Sequence, residues 1–387
     1  MDTTVAGPVG SAVRSLCDGF NGFGLDLQRA LPSGGNTFIS PLSIGAALAA
    51  LLPGARGETA AELMRVLRVQ GTTADAAAAM TELRRILQPR IREEDIWNDE
   101  TDTIERVEQE TFRLSLATGL FVEEAYPLHT EFCDVLTESF GADFFSATFA
   151  NPQATADRVN SWVAGKTENR IVELVSPGSL QDDMRLILAN AVYFKARWAD
   201  QFAEVVTRPK PFHLLPGAGT GSVDVPMMAR LGTFLYWKSD STDAEALRID
   251  YEEGLSMLVL LPATGSFAEV EAGLSTDLLA RIQTGSEWTL VDLELPRFEM
   301  RFETELGDVL RGLGLQTAFD LRADFGGITP HPDGLVLSKA IHQAWLKVDE
   351  QGTEAAAATL LAAMAGAVME EEPPPGRPQA SGEKRAN

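Results

Sequence analysis

The feature that most constrains this chain is a short segment without a polar face, Ile44–Leu52. Ser40 and Pro41 precede it as an N-cap and a first turn would, and Pro53 with Gly54 ends it. A helix that is apolar on every side has to be enclosed by other elements. We therefore expect this helix to be buried inside a large domain.

Periodic patterns along the rest of the chain predict a mixed fold. Apolar residues at helical spacing predict a first helix through Val13, Leu16, Phe20, Phe23, Leu27 and Leu31. Further helices are predicted at Glu58–Leu67, Thr73–Leu87, Pro127–Phe140, Pro152–Glu168, Phe267–Gln283 and Thr304–Leu313. Strands are predicted at Phe112–Phe121, Arg185–Phe194, Phe234–Trp237, Ala246–Ile249, Ser256–Leu261, Trp288–Leu295 and Leu335–Val348. Several strands are long or apolar on both faces, which indicates large β-sheets, and the class is α+β without regular βαβ alternation.

Two segments differ from the rest in composition. Arg92–Glu110 is acidic and irregular, and we interpret it as a surface loop. Glu370–Asn387 is rich in proline and charge, and we interpret it as a disordered tail. Nothing else reads as a linker, so the remainder of the 387 residues is treated as one domain.

Charge and cysteine content exclude several classes of partner. The net charge of −24, from 56 acidic and 32 basic residues, opposes binding to nucleic acid or to an anionic membrane. Cys17 and Cys133 are too few for a disulfide framework or a cysteine zinc site, and we expect two buried free thiols. No apolar stretch reaches the roughly 20 residues that span a bilayer. The first ten residues as written lack the pattern of a signal peptide, which leaves the compartment open.

A search for catalytic motifs favours a protein that is not an enzyme. Neither Gly-x-Ser-x-Gly nor His-Glu-x-x-His occurs in the sequence. Gly165-Lys166-Thr167 is similar to the end of a phosphate-binding loop, but Asn160 occupies the position of the required first glycine. Only four histidines occur, and none lies near a nucleophile in a recognisable arrangement. We expect no catalytic residues, no metal and no cofactor.

A series of motifs in a fixed order carries a family resemblance. NTFISPLSI (36–44) is followed by GARGET (54–59), NSWV (160–163), ANAVYFKARW (189–198), VPMM (225–228), MLVLLP (257–262), LPRF (295–298) and ADFGGI (323–328). The strongest match is LSKAIHQ (337–343), which runs into VDEQGTEAAAAT (348–359). The chain thereby resembles the serpins, which are suicide inhibitors of serine proteases. The resemblance covers residues 10–369 and suggests a serpin domain at residues 8–369, incomplete at the C-terminus.

The resemblance implies a mechanism and a set of site residues. A protease cuts an exposed reactive-centre loop, remains bound as a covalent acyl-enzyme, and the cut loop inserts into the main sheet of a metastable fold. The loop would run from Thr353 to about Met369, with its cut bond near Gly366 and Ala367. Its hinge would consist of Gly352, Thr353, Glu354, Ala355, Ala356, Ala357, Ala358 and Thr359. Two groups of residues would control opening of the sheet. A polar cluster beneath the point where the sheet opens would consist of Ser40, Ser43, Asn190 and His342, and a group at the top of the sheet would consist of Trp198, Arg297 and Glu350.

Strand alternation tests whether this loop could insert. If Thr353 points inward, the buried side chains are Thr353, Ala355, Ala357, Thr359, Leu361, Ala363 and Ala365. None of these is charged, and Glu354 falls on the outward face, so the register permits insertion. In the uncut chain a surface helix at Ala355–Ala363 is the competing interpretation, since alanine favours helices.

The residues around the cut bond indicate the kind of target. Ala365, Gly366 and Val368 suit elastase-like or subtilisin-like proteases, and Met364 would suit a chymotrypsin-like one if the register shifts. Trypsin-like targets are disfavoured because neither Arg nor Lys occurs between Lys347 and Arg377. The resemblance further implies a monomer that acts outside the cell, with the cytoplasm as the alternative.

The chain departs from the family after the loop. Serpins continue through a Phe-rich segment that supplies further strands, whereas residues 370–387 contain no large apolar residue. We therefore expect this chain alone to be a poor inhibitor, or to be folded with its loop already inserted. A truncation or frame change is one explanation, and a separate C-terminal chain is another. A non-inhibitory serpin that acts as a binding protein remains the alternative function.

Overall fold

The structure is a computed structural model that describes residues 10–32, 35–98, 103–215, 221–239, 243–331, 334–353 and 383–386. Its α-helices are α1 (Ser11–Ala30), α2 (Pro41–Ala49), α3 (Gly57–Val66), α4 (Thr73–Ile86), α5 (Thr130–Val135), α6 (Pro152–Lys166), α7 (Phe267–Ala272), α8 (Thr276–Gly285) and α9 (Gly307–Gly312). A π-helical turn, Leu136–Phe140, continues α5.

The strands are β1 (Arg90–Asn98), β2 (Thr103–Glu123), β3 (Asp143–Ala147), β4 (Leu186–Arg197), β5 (Arg208–His213), β6 (Ser222–Lys238), β7 (Ala244–Asp250), β8 (Ser256–Pro262), β9 (Glu287–Pro296), β10 (Phe298–Glu305), β11 (Leu337–Val348), β12 (Gly352–Thr353) and β13 (Glu383–Ala386). The chain divides into two compact units. The first takes its residues from 1–88, 114–193 and 300–346, and the second from 89–113, 194–299 and 347–387.

The first unit encloses the apolar helix α2. Every residue from Ser43 to Leu52 is buried, as the sequence predicts. Ser40 caps α2 by accepting a hydrogen bond from the Ser43 amide, with Pro41 in the first turn. Gly45 of α2 faces the ring of Phe20 on α1 so closely that a Cβ would overlap it, which is why a glycine is needed there.

A central strand divides the core of the first unit. Leu186 and Leu188 of β4 belong to a cluster formed with the helices α1 to α4. The alternate residues Ile187, Ala189 and Ala191 belong to a second cluster with α6. Strand β11 pairs with β4 in parallel, from Leu337↔Leu186 to Ala344↔Val192. Because both faces of β4 are covered, its buried residues are apolar with the exception of Asn190.

The second unit contains a second sheet, with strand order β13-β9-β6-β7-β8 and β5 paired to β6. The long strand β6 pairs antiparallel with β9, from Met227↔Pro296 to Tyr236↔Glu287. It also pairs antiparallel with β7, which in turn pairs with β8. Leu278 and Ile282 of α8 pack with Ala246 of β7 on one face of this sheet.

Four expectations from the sequence need correction. Within the segment interpreted as a disordered tail, Glu383–Ala386 form β13, which pairs in parallel with β9. The segment predicted as an acidic surface loop is an antiparallel hairpin, in which β1 pairs with β2 from Arg90↔Phe112 to Asn98↔Thr103. Its charged residues form cross-strand pairs such as Asp95 with Arg106. The sequence interpretation was wrong because so polar a segment lacks the apolar alternation that indicates a strand. The predicted helix Phe267–Gln283 is two helices, α7 and α8, separated around Gly273. Cys17 and Cys133 are free, but they are half-buried rather than buried.

The described part of the chain contains neither a membrane-spanning helix nor a metal-binding cluster. No helix there is long and apolar enough to cross a membrane. No group of three or more His, Cys, Asp or Glu residues there is arranged to hold a metal ion.

Candidate functional site

A buried polar cluster in the first unit is centred on the Asn190 side chain of β4, and we call it the Asn190 cluster. Asn190 Nδ2 donates to the carbonyl of Ala117, 3.2 Å away, and to the carbonyl and Oγ of Ser43, 3.2 and 3.0 Å away. Asn190 Oδ1 lies 2.7 Å from Nδ1 of His342 on β11. Since Asn190 and His342 are register partners, this bond joins the two strands directly. Ser43 and His342 both lie beside Asn190, as the sequence predicts.

The His342 ring is held neutral by its surroundings. Burial lowers the pKa of His342 from its ordinary 6.5 to about 3. Because Asn190 Oδ1 can only accept, the ring carries its proton on Nδ1 and donates it. Nε2 is then an acceptor, and no partner for it occurs among the residues that the structure describes.

We expect stability to fall in acid because of His342. The unfolded imidazole binds a proton below about pH 6.5, whereas the native one stays neutral until about pH 3. Lowering the pH through this window therefore favours the unfolded state, by about 1.4 kcal/mol per pH unit. Urea unfolding from about pH 7 to about pH 5 measures the slope, and the variant His342→Gln supplies the background from other groups. Equal slopes in the two proteins would contradict this prediction.

Ser40 has a different place from the other members of its predicted group. Its Oγ accepts from the Ser43 amide at 3.2 Å and caps α2. The structure gives it no hydrogen bond to Asn190 or His342 within the described ranges. Ser40 therefore acts on the Asn190 cluster through the helix that carries Ser43.

A second cluster, in the second unit, surrounds Glu350, and we call it the Glu350 cluster. The Glu350 carboxylate is almost fully buried and accepts a hydrogen bond from Thr207 Oγ1 at 2.7 Å. Nη1 of Arg297 lies 3.4 Å from its other oxygen. The carboxylate is thus both paired and hydrogen-bonded, as a buried charge must be.

Trp198 fixes the turn that contains Glu350. Its indole Nε1 donates to the carbonyl of Asp349 at 2.9 Å, and its amide donates to the carbonyl of Gln351 at 2.9 Å. The Phe202 amide donates to the carbonyl of Glu350. The structure therefore brings together Trp198, Arg297 and Glu350, as the sequence predicts.

The two hinge residues that the structure describes are already paired in a sheet. Strand β12 pairs antiparallel with the end of β4, Gly352↔Arg197 and Thr353↔Ala196, and with β11, Val348↔Thr353. The Thr353 side chain is fully buried, and its hydroxyl lies 2.5 Å from the Tyr251 hydroxyl. Burial raises the pKa of Tyr251, so its phenol remains protonated and either hydroxyl can donate in this hydrogen bond.

We expect Gly352 to tolerate no side chain. A Cβ at this position would overlap the carbonyl oxygen of Ala196 and lie 2.9 Å from the Cα of Arg197. The variant Gly352→Ala should therefore unpair β12 and destabilise the protein by about 1–3 kcal/mol. Urea unfolding measures the loss, and Gly178→Ala is the control because nothing lies within 4 Å of its Cβ. Equal stability of the two variants would show that β12 can shift at little cost.

Sequence reasoning missed Tyr251 and Thr207. Tyr251 stacks on Trp198 with ring centroids 4.3 Å apart and holds Thr353. The only sequence signal was its position after the strand at Ala246–Ile249. The other predicted loop residues, Glu354 to Thr359 together with Gly366 and Ala367, lie outside the described residues.

These features define a class of protein. A short strand at the start of a loop pairs with both β4 and β11, and over residues 186–192 and 337–344 these strands pair directly with each other. A family profile described as Serpin (serine protease inhibitor) matches residues 18–378. Human Serpin B4 is 33% identical over 336 residues, which cover 83% of this chain and 82% of that protein. The chain belongs to the serpin family.

Other relatives agree with this assignment. An uncharacterised serpin-like protein of Thermococcus kodakarensis is 35% identical over 347 residues, covering 89% of this chain and 75% of that protein. Among solved structures, human thyroxine-binding globulin with bound thyroxine is 27% identical with a TM-score of 0.80, covering 90% and 89% of the two chains. Serpin48 of Tenebrio molitor is 26% identical with a TM-score of 0.77, covering 90% of each chain. The family supports protease inhibition as a general function, and its members are mostly inhibitors rather than catalysts.

Proposed function

We propose that this protein inhibits a serine protease by suicide cleavage of its reactive loop, followed by insertion of that loop into the sheet that contains β4 and β11. The observation that carries this proposal is that the hinge residues Gly352 and Thr353 are already paired with β4 and β11, and we call this arrangement the seated hinge. Gly352 and Thr353 already form the first two residues of an added strand, and Thr353 is buried there. Its hydroxyl satisfies a buried partner, so the hinge is bound rather than merely adjacent.

The loop sequence supports continued insertion from this point. With Thr353 inward, the following inward residues are small or aliphatic and carry no charge. An inward charge without a partner would cost several kcal/mol and would stop the strand from extending. Insertion also needs β4 and β11 to separate, which breaks the Asn190–His342 bond and exchanges their direct pairing for pairing with the loop.

The direct pairing of β4 with β11 corrects one expectation. No strand lies between residues 186–192 and 337–344, so the loop is not already inserted at these positions. In a closed sheet with Gly352 and Thr353 paired to β4 and β11, separation of those strands has still to occur, which supports the resting state of the proposed mechanism.

The decisive experiment mixes the chain with pancreatic elastase, subtilisin and chymotrypsin in turn. We expect a covalent complex that survives denaturing electrophoresis, in low yield because residues 370–387 contain no large apolar residue to anchor the far end of the loop. Mass spectrometry should place the cut bond near Gly366 and Ala367. Trypsin is the matched control protease, since no Arg or Lys lies near the proposed bond. Cleavage of the loop by all of the first three proteases without any complex would contradict inhibition.

A synthetic peptide that copies Thr353–Gly366 tests the sheet independently of any protease. If the sheet opens, the peptide pairs with β4 and β11 and raises the melting temperature. A peptide with Arg in place of Ala357 is the control, because this inward position lies beyond the already paired hinge and would bury a charge. Equal effects of the two peptides would show that the shift does not come from insertion.

A non-inhibitory binding protein is the second candidate function. It is favoured by the likeness to thyroxine-binding globulin, a non-inhibitory serpin whose structure contains thyroxine. Simple cleavage without a covalent complex would support this candidate. We further propose a monomer that acts outside the cell, which the family resemblance alone supports.

A further inference from the structure

The hairpin formed by β1 and the first part of β2 (Arg90–Asn98 and Thr103–Arg113) has contacts that lead to the hinge. The segment is strongly acidic and was not part of the predicted site. Within the second unit, two separate series of contacts run from it to the hinge residues Gly352 and Thr353. Each hinge residue is reached by one of them.

The first series passes through Arg197, the last residue of β4. Nη1 of Arg197 donates to the Glu94 carboxylate at 2.7 Å and also to Oε1 of Gln109. Glu94 lies on β1 and Gln109 on β2, so both strands of the hairpin hold the same guanidinium. The backbone of Arg197 is the register partner of Gly352. The hairpin therefore fixes the residue against which the hinge begins to pair.

The second series passes through the turn that follows Tyr251. The Glu253 carboxylate accepts a hydrogen bond from Thr111 Oγ1 at 3.0 Å, and it forms ion pairs with Arg90 at 3.2 Å and Arg92 at 3.3 Å. Arg90 also donates to the Glu253 carbonyl at 2.8 Å. Tyr251, two residues earlier, holds Thr353 through their hydroxyls.

The backbone conformation and burial of Glu253 indicate that these contacts stabilise the turn. Its φ of 64° lies in the left-handed region, which a residue with a side chain adopts only at a cost of roughly 1 kcal/mol or more. The Glu253 side chain is only 20% exposed, so its ion pairs are less screened than surface pairs. The hairpin arginines therefore stabilise a strained turn directly beside the residue that binds Thr353.

Other charge pairs on the same hairpin lack these properties. Arg106 pairs with Asp95 at 3.0 Å, but the two side chains are 66% and 57% exposed. Such exposed pairs contribute little to stability. Neither residue contacts Arg197 or the turn after Tyr251 in any interaction found for the described residues. This pair is a natural control for the effect of charge alone.

We propose that the hairpin is a positioning element for the hinge, in which Glu94 acts through Arg197 on Gly352 and Glu253 acts through Tyr251 on Thr353. This role rests on the proposed inhibitory function. After the loop is cut, insertion competes with hydrolysis of the acyl-enzyme, and a seated hinge lets the added strand start to form at once. Loosening the hairpin contacts unseats the hinge, delays insertion and releases more of the protease.

The test uses the full chain with Glu253→Gly, Glu94→Ala and the control Asp95→Ala. Glycine adopts the φ of residue 253 without strain, so Glu253→Gly removes the carboxylate while the turn keeps its conformation. Hydrogen–deuterium exchange of the hinge amides is measured first, because it needs no protease. We expect exchange at Gly352 and Thr353 to be about threefold faster in Glu253→Gly and Glu94→Ala, and unchanged in Asp95→Ala.

The second measurement is the number of inhibitor molecules consumed for each protease molecule inactivated. It should rise about threefold in Glu253→Gly and Glu94→Ala and stay constant in Asp95→Ala, while melting temperatures remain close to that of the unmodified chain. Unchanged exchange in both variants would overturn the positioning role. Faster exchange without any covalent complex, even from the unmodified chain, would instead refute the inhibitory function and leave the hinge contacts established.

Discussion

A charged residue at position 353 is expected to abolish inhibition while the chain remains a good protease substrate. Thr353 is fully buried between strand partners on both sides, and its hydroxyl contacts only the buried Tyr251 phenol among the described residues. In the variant Thr353→Arg, strand formation would bury an unpaired guanidinium, at a cost of several kcal/mol. The rate of insertion should fall by about a hundredfold or more. The yield of covalent complex, measured by denaturing electrophoresis with the protease that the unmodified chain traps, tests this result.

The variant Gln351→Arg is the control for the added charge. Gln351 lies two residues before Thr353, outside β12, and is half-exposed. Its arginine can remain in water, so this variant should trap the protease normally. If Thr353→Arg formed as much complex as Gln351→Arg, the buried hinge would have no part in the mechanism.

Loss of the Asn190 side chain is expected to destabilise the first unit strongly. Asn190→Ala removes the hydrogen bonds that this side chain makes to the Ala117 carbonyl, to Ser43 and to Nδ1–H of His342, in a site that water does not reach. The lost hydrogen bonds, together with the cavity, should lower the free energy of unfolding by about 3 kcal/mol or more. Urea unfolding followed by circular dichroism measures the loss.

The same substitution at an exposed asparagine is the matched control. Asn36 lies on the surface before α2, and Asn36→Ala should change the unfolding free energy by less than about 0.5 kcal/mol. A small loss in Asn190→Ala would mean that β4 and β11 are held by backbone pairing alone. The cluster would then not control separation of the strands.

The sequence predicted most elements because local patterns decided them. The apolar run of α2 required burial, and the alternating clusters on the two faces of β4 explain why its residues from Leu186 to Ala189 are all apolar. The resemblance placed Ser43, Asn190 and His342 in one group although they lie up to 299 positions apart. It also grouped Trp198, Arg297 and Glu350, which the structure brings together around one turn.

The hairpin shows where local patterns failed. Its acidic composition is typical of a loop, because each strand taken alone has few apolar residues. Its stability comes from cross-strand pairs and from Glu252 and Glu253, which lie more than 140 positions away. The spacing of apolar residues within one segment carries no information about contact partners that lie so far away in the sequence.

The sequence by itself therefore determined most of the elements, the enclosed helix and the absence of charge at alternate loop positions, since these depend on the order of residue types along one segment. Only the tertiary structure decided that β4 pairs directly with β11, that Thr353 is seated against Tyr251, and that the hairpin holds Arg197 and Glu253. Those features are contacts between distant segments. Their free energy depends on burial and geometry that exist only after the chain has folded.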